Sequence, residues 1–171
     1  MIGLRRDEVI LFPHNSKWKD IFLKEKINLE NSIGTYIISI EHVGSTSIPD
    51  IPAKPIIDIA VAVNNFEEAK VCIFPLEKLG YEYKGEFGIP RRHYFIKGDP
   101  VIFHLHMNEI NSDDWNNQIN FRNFLQKNEM IAQEYAEIKL KLAQKFPKNR
   151  EAYLTGKGFF IEKILKIIEK G

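Results

Sequence analysis

Apolar residues recur at helical spacing through Trp18, Ile21, Phe22, Leu29 and Ile33. Asn15 or Ser16 can cap such a helix and Gly34 can end it, so the pattern predicts an amphipathic helix over this stretch. The β-branched run from Tyr36 to Val43 then predicts a strand. The small polar string Gly44-Ser45-Thr46-Ser47 and a loop punctuated by Pro49, Pro52 and Pro55 follow. Ile56 to Val63 is almost continuously apolar, the pattern of a strand covered on both faces. Residues 66–79 suit a helix with Glu67 and Glu68 near its positive end and Gly80 after it, which Pro75 should kink or shorten. Tyr81 to Lys84 reads as a short strand, and Arg92–Ile96, Gly98-Asp99-Pro100 and Val101–Met107 read as a hairpin. On its second strand His104 and His106 share one face, and Phe103, Leu105 and Met107 share the other.

From Ser112 the period becomes helical. Ser112, Asp113 and Asp114 lead into a stripe of Trp115, Phe121, Phe124 and Leu125, expected in the core. A further helix from about Glu129 carries Ile131, Tyr135, Ile138, Leu142 and Phe146 and stops at Pro147. Arg150 to Lys170 predicts a last helix, with a break expected at Gly156 and Gly158. The order points to an α+β fold: a small mixed sheet flanked by helices, with a helical C-terminal part. With no repeat and no linker-like stretch, residues 1–171 read as one domain.

Composition narrows the chemistry. The chain has 24 Lys plus Arg against 23 Asp plus Glu, for a net charge of +1, so no general field attracts nucleic acid. Its one cysteine, Cys72, excludes an internal disulfide and a cysteine zinc site. No apolar run approaches a membrane span, and Arg5, Arg6, Asp7 and Glu8 close behind Met1 leave no signal-peptide core. A cytoplasmic protein with no membrane partner is the expectation; the oligomeric state is open.

Chemistry concentrates between His42 and Val61. A Gly-Ser turn leaving a strand lets backbone N–H groups and hydroxyls of Gly44, Ser45, Thr46 and Ser47 approach a phosphate, although such strings also serve as plain loops. Asp58 is the one ionisable residue in an eight-residue apolar run, a costly position unless it has a partner, a metal or an exit to solvent. Lys54 can neutralise Asp58 or touch a phosphate. Arg91, Arg92 and His93 precede the hairpin, where a guanidinium can clamp a phosphate or simply lie at the surface. Arg122 reads as half of a structural ion pair, His42 as a packed side chain, and Lys139 and Lys157 as solvated helix faces.

The sequence resembles the GrpB family, uncharacterised proteins placed in the nucleotidyltransferase superfamily. The resemblance covers most of the chain. Pro13 and Trp18, Glu41-His42-Val43-Gly44-Ser45-Thr46-Ser47-Ile48-Pro49 and Ala53-Lys54-Pro55-Ile56-Ile57-Asp58-Ile59 carry its first half. Gly80-Tyr81, Arg92, Phe95, His104-Leu105-His106, Phe121-Arg122-Asn123-Phe124-Leu125, Tyr135, Lys139, Leu142-Ala143, Tyr153 and Lys157 carry the rest.

The resemblance implies a nucleotidyltransferase-like mixed sheet, a Gly-Ser pair gripping nucleotide phosphates, and strand carboxylates holding Mg²⁺. Gly44 and Ser45 would take the phosphate role and Asp58 that of the first metal carboxylate. Active members of the superfamily carry Asp-x-Asp, whereas this chain reads Asp58-Ile59-Ala60. His104 and His106 can complete a set with Asp58 suited to a transition metal rather than Mg²⁺, and Glu41 and Glu86 are further acidic candidates. Three functions follow as expectations. One is a nucleotidyltransferase that binds a nucleoside triphosphate and a divalent metal, with Asp58, His104 and His106 catalytic. The second is a catalytically degenerate module that binds a nucleotide or other phosphorylated small molecule through Gly44, Ser45, Thr46, Ser47, Lys54 and Arg92. The third is a metal-dependent hydrolase built on Asp58, His104 and His106.

Overall fold

The computed structural model describes all residues, Met1–Gly171. The chain runs α1 (Lys17–Ile33), β1 (Ser39–Val43), β2 (Ile57–Val63), α2 (Ile73–Lys78), β3 (Tyr81–Tyr83), β4 (Arg92–Lys97), β5 (Phe103–Glu109), α3 (Asp113–Lys127), α4 (Glu129–Lys145) and α5 (Arg150–Lys170). Single 3₁₀ turns at Gly34–Tyr36, Ser45–Ser47 and Glu68–Cys72 connect some of these. The five strands form one mixed sheet in the order β1-β2-β5-β4-β3. β2 and β5 are its parallel pair, and every other neighbour is antiparallel. The α+β architecture with a mixed sheet and a helical C-terminal part is the one the sequence predicts.

β2 is central and its alternation assigns the two layers. Ile57, Ile59, Val61 and Val63 join Leu105 and Met107 of β5 under Trp18, Phe22, Leu29 and Ile33 of α1 and Leu76 of α2, all in one apolar cluster. The opposite face carries Asp58, Ala60 and Ala62. Ala60 and Ala62 pack with Val43 and Trp115 against α3, so small residues let that helix approach the sheet. A separate apolar cluster joins Ile48 and Ile51 of the loop after β1 to Leu125 of α3, Tyr135 and Ala136 of α4, and Phe160 and Ile164 of α5. The C-terminal helices therefore form a second layer, which meets the sheet directly through Trp115 of α3 and also through the loop that carries Ile48 and Ile51.

Four local expectations change. The first strand begins at Ser39 rather than Tyr36, because pairing with β2 starts at Ser39 opposite Ala62 and the three residues from Gly34 coil into a turn. The helix expected over residues 66–79 divides into a 3₁₀ turn and α2, which places Pro75 third in α2, where its missing N–H breaks no helical bond. α5 is unbroken: Gly156 sits where α4 crosses, and a Cβ there would lie 2.9 Å from Leu142 Cδ1. Lys139 is not a solvated side chain but 1% exposed, its ammonium donating to the Pro52 carbonyl and lying 4.8 Å from the Tyr135 ring centroid.

Candidate functional site

Parallel pairing sets Asp58 opposite His104 and Ala60 opposite His106. From these positions both imidazoles turn toward one carboxylate oxygen. His104 Nδ1 is 3.3 Å and His106 Nε2 3.4 Å from Asp58 Oδ1. Arg92, next to β5 on β4, resolves the tautomer of His106: its Nη1 donates to His106 Nδ1 at 3.2 Å, so the ring proton sits on Nε2 and faces Asp58. The rest of the guanidinium donates to the carbonyls of Glu86 and Phe87, which commits Arg92 to holding the loop before β4 and orienting His106. Tyr94 lies over both imidazoles, with centroids 5.8 Å from His104 and 5.2 Å from His106.

These contacts govern charge. Burial opposes ionisation of Asp58, but the hydrogen bonds and charge of His104 and His106 outweigh it and hold the carboxyl below the usual carboxylate range. Burial lowers the pKa of His104 despite the opposing hydrogen bond and charge of Asp58.

The turn after β1 meets this cluster. Gly44 adopts φ +72° and ψ −178°, a conformation essentially restricted to glycine, and a Cβ there would lie 2.9 Å from Asp58 Cβ and press on its carboxylate. Glycine is thus required by the backbone and by Asp58 together. Thr46 is buried with its hydroxyl 2.9 Å from His42 Nε2, and Ser47 Oγ donates to the Gly44 carbonyl at 2.5 Å. Both shape the turn from within. His42 stacks on Phe22 and is pushed down to about 4, chiefly by burial, so it is neutral near pH 7. Arg122 ties α3 to the same corner, donating to Glu41 Oε2 at 2.7 Å and to the His42 carbonyl at 2.9 Å, the structural ion pair expected of it.

Beside Asp58 the surface is basic. Arg5, Arg6, Lys54, Tyr94, His104 and Arg150 line one cleft, in which Glu8 is the only carboxylate. Lys54 and Lys157 both lie over the Tyr153 ring, at 5.4 Å and 5.2 Å from its centroid. No ion pair involves Arg5, Arg6, Lys54, Lys139, Arg150 or Lys157. Burial, followed by repulsion from Lys157 and Arg150, pushes Lys54 down to about 7 against the opposing pull of Asp58. Burial, then Lys157 and Lys54, pushes Lys139 down to about 6.

The convergence of Gly44, Asp58, His104 and His106 is as the sequence suggests, but the metal set expected of Asp58, His104 and His106 is not what they form. No group of three His, Cys, Asp or Glu side chains is arranged to hold a metal ion. The donor chemistry explains this. Both imidazoles spend a nitrogen on the same carboxylate oxygen, and His106 can offer Nε2 to a metal only by moving its proton to Nδ1, against Arg92. A second carboxylate in place of Ala60 would sit in the apolar cluster beneath Trp115. Glu41 is paired with Arg122, and Glu86 accepts from the Arg91 backbone N–H, so neither completes the set. These residues do not fit a divalent metal site. Arg91 is exposed and paired with Glu109, and His93 is buried between the Phe66 carbonyl and the Tyr83 hydroxyl, both away from the cleft.

Sequence reasoning passed over Tyr94, Arg150, Arg5 and Arg6. Tyr94 was accessible through the hairpin register, which sets it opposite His106. The arginines carried no local signal, because docking of the first residues and of α5 beside β4 places them.

A profile of the GrpB protein family matches residues 8–167. The chain is 36% identical to the glutamate-rich protein GrpB of Alkalihalophilus pseudofirmus over 171 residues, 96% of this chain and 98% of that one. It is 39% identical to the UPF0157 protein YqkA of Bacillus subtilis over 159 residues, 92% of this chain but 46% of that one. Among solved structures, the conserved protein GrpB from Enterococcus faecalis superposes with a TM-score of 0.80 at 32% identity, covering 91% of this chain and 99% of that one. The Cid1 poly(U) polymerase with bound MgGTP superposes at 0.52 and 13% identity over 77% of this chain and 44% of that one. The fold is therefore nucleotidyltransferase-like.

Proposed function

Because this chain belongs to the GrpB protein family and has a nucleotidyltransferase-like fold, we propose that its cleft binds the phosphate chain of a nucleotide or other phosphorylated small molecule. One observation carries the reading: Arg5, Arg6, Lys54 and Arg150 line one cleft with Glu8 as its sole carboxylate, Lys157 shares the Tyr153 ring with Lys54, and none of these five cations forms an ion pair. Gathering like charges is unfavourable, and an anion removes the penalty. Ser45, whose hydroxyl makes no intramolecular hydrogen bond, and the turn's backbone donors supply the directional contacts. Isothermal titration with ATP and Mg²⁺ tests the reading. Saturable binding weakened at least tenfold by Lys54→Ala is expected, and absence of binding refutes it.

A nucleotidyl-transfer reading has one observation in its favour. His104 lines the cleft with Nδ1 turned to Asp58, leaving Nε2 without a partner. There it can take the proton of an acceptor hydroxyl as the acceptor oxygen bonds to the α-phosphorus and pyrophosphate leaves. Pyrophosphate release that His104→Ala abolishes would support transfer.

A further inference from the structure

Nucleotidyltransferase-like sites ordinarily neutralise the phosphate chain with a divalent ion held by strand carboxylates, and this site lacks the means to hold one. We propose that here the protein's own cations replace that ion, so that the cleft binds a polyphosphate chain independently of divalent metal. The inference rests on the phosphate-binding reading above and adds how the charge is met.

Two independent observations carry it. On the carboxylate side, Asp58 accepts from His104 and His106, Arg92 fixes the proton of His106 toward Asp58, and Ala60 stands where a second carboxylate would be. Magnesium in phosphate sites is held through one or two carboxylates with free lone pairs together with the phosphate oxygens. A metal taking Oδ1 of Asp58 would displace both imidazole N–H groups from it, and Oδ2 is packed against Gly44, where even a Cβ would press on it.

On the cation side, Arg5, Arg6, Lys54 and Arg150 line the cleft against one carboxylate, Glu8, Lys157 meets Lys54 over the Tyr153 ring, and none of these cations is in an ion pair. A divalent ion entering this field is repelled, while a bare phosphate chain is attracted. Burial first, and then repulsion from Lys157 and Arg150 on Lys54 and from Lys157 and Lys54 on Lys139, lowers the pKa of both lysines, and an anion beside them would relieve the repulsive part. Lys139 stays behind the cleft with its amino group on the Pro52 carbonyl, where burial favours its neutral form until an anion enters.

The test is titration of the full chain with inorganic tripolyphosphate in buffer containing EDTA and again in buffer containing Mg²⁺. The expected result is binding in EDTA at least as tight as in Mg²⁺, weakened tenfold or more by Lys54→Gln combined with Lys157→Gln. Lys163→Gln, which alters an exposed lysine paired with Glu134, should leave the affinity unchanged. Should the double variant fail to fold, each single substitution is titrated alone, with a threefold or greater loss expected from either. Tighter binding in Mg²⁺ than in EDTA, or affinity in EDTA untouched by the lysine substitutions, overturns this inference alone. Absence of binding in both buffers overturns the phosphate-binding reading itself.

Discussion

Replacing Gly44 by alanine separates the two demands made on this glycine. The backbone at φ +72° and ψ −178° should cost an alanine about 1–3 kcal/mol. The new Cβ also lies 2.9 Å from Asp58 Cβ and 3.0 Å from Asp58 Cγ, with the carboxylate oxygen closer still, so the turn or Asp58 must shift. Moving Asp58 strains its bonds to His104 and His106, adding about 1–2 kcal/mol. Gly44→Ala should therefore lose about 2–5 kcal/mol in urea denaturation. The parts separate in a double-mutant cycle with Asp58→Gly, which removes the Asp58 side-chain atoms that the new Cβ would meet and leaves the cost of the backbone conformation. The expected coupling is at least about 1 kcal/mol, with the double variant more stable than the sum of the singles predicts. Additivity within about 0.5 kcal/mol would mean that Asp58 does not press on the turn, and the account of how turn and carboxylate are joined would be wrong.

Lys139 offers a pH signature. Its folded pKa of about 6 lies below the ordinary 10.5, so the unfolded chain binds the extra proton between those values and native stability rises with pH across that window. Relative to the native chain, Lys139→Met should be most favourable near pH 6 and lose that advantage toward pH 10, by at most about 1.4 kcal/mol per pH unit. Urea unfolding at pH 6.5 and 9 checks it, and a pH-independent difference refutes it. Arg122→Ala removes two charge-assisted hydrogen bonds to Glu41 and the His42 carbonyl and should cost about 1.5–2 kcal/mol, the partial exposure of Glu41 tempering the loss. Faster amide exchange at Val43 and Gly44 should accompany it. Gly156→Ala should stabilise by about 1 kcal/mol in a Leu142→Ala background, where helix propensity acts without the clash, and less or not at all in the native background. Thermal melts of the four proteins decide this.

Local pattern was enough for most of the framework. The run Ile57–Val63 announced a strand covered on both faces, and the alternation of β5 correctly parted His104 and His106 from Phe103, Leu105 and Met107. Both follow from chain geometry, because a strand's side chains alternate whatever surrounds them. Asp58 was conspicuous for the same reason, as a charge inside an apolar run. What sequence could not supply was the direction of each polar atom. Asp58, His104 and His106 fit a metal set as residue types, and only Arg92, brought alongside by β4, turns the His106 proton toward Asp58 and makes the group a hydrogen-bonded cluster. Lys139 sits on a helix whose spacing reads as solvated, yet docking of α4 against α5 and the loop through Pro52 buries it. Arg150 and Lys157, two turns apart on α5, are distant in sequence from Lys54 and meet it only when α5 lies beside the Gly44–Lys54 loop. Periodicity determines which face a residue takes, whereas the charge it meets there depends on contacts between segments far apart in the chain, and those are decided by the tertiary structure.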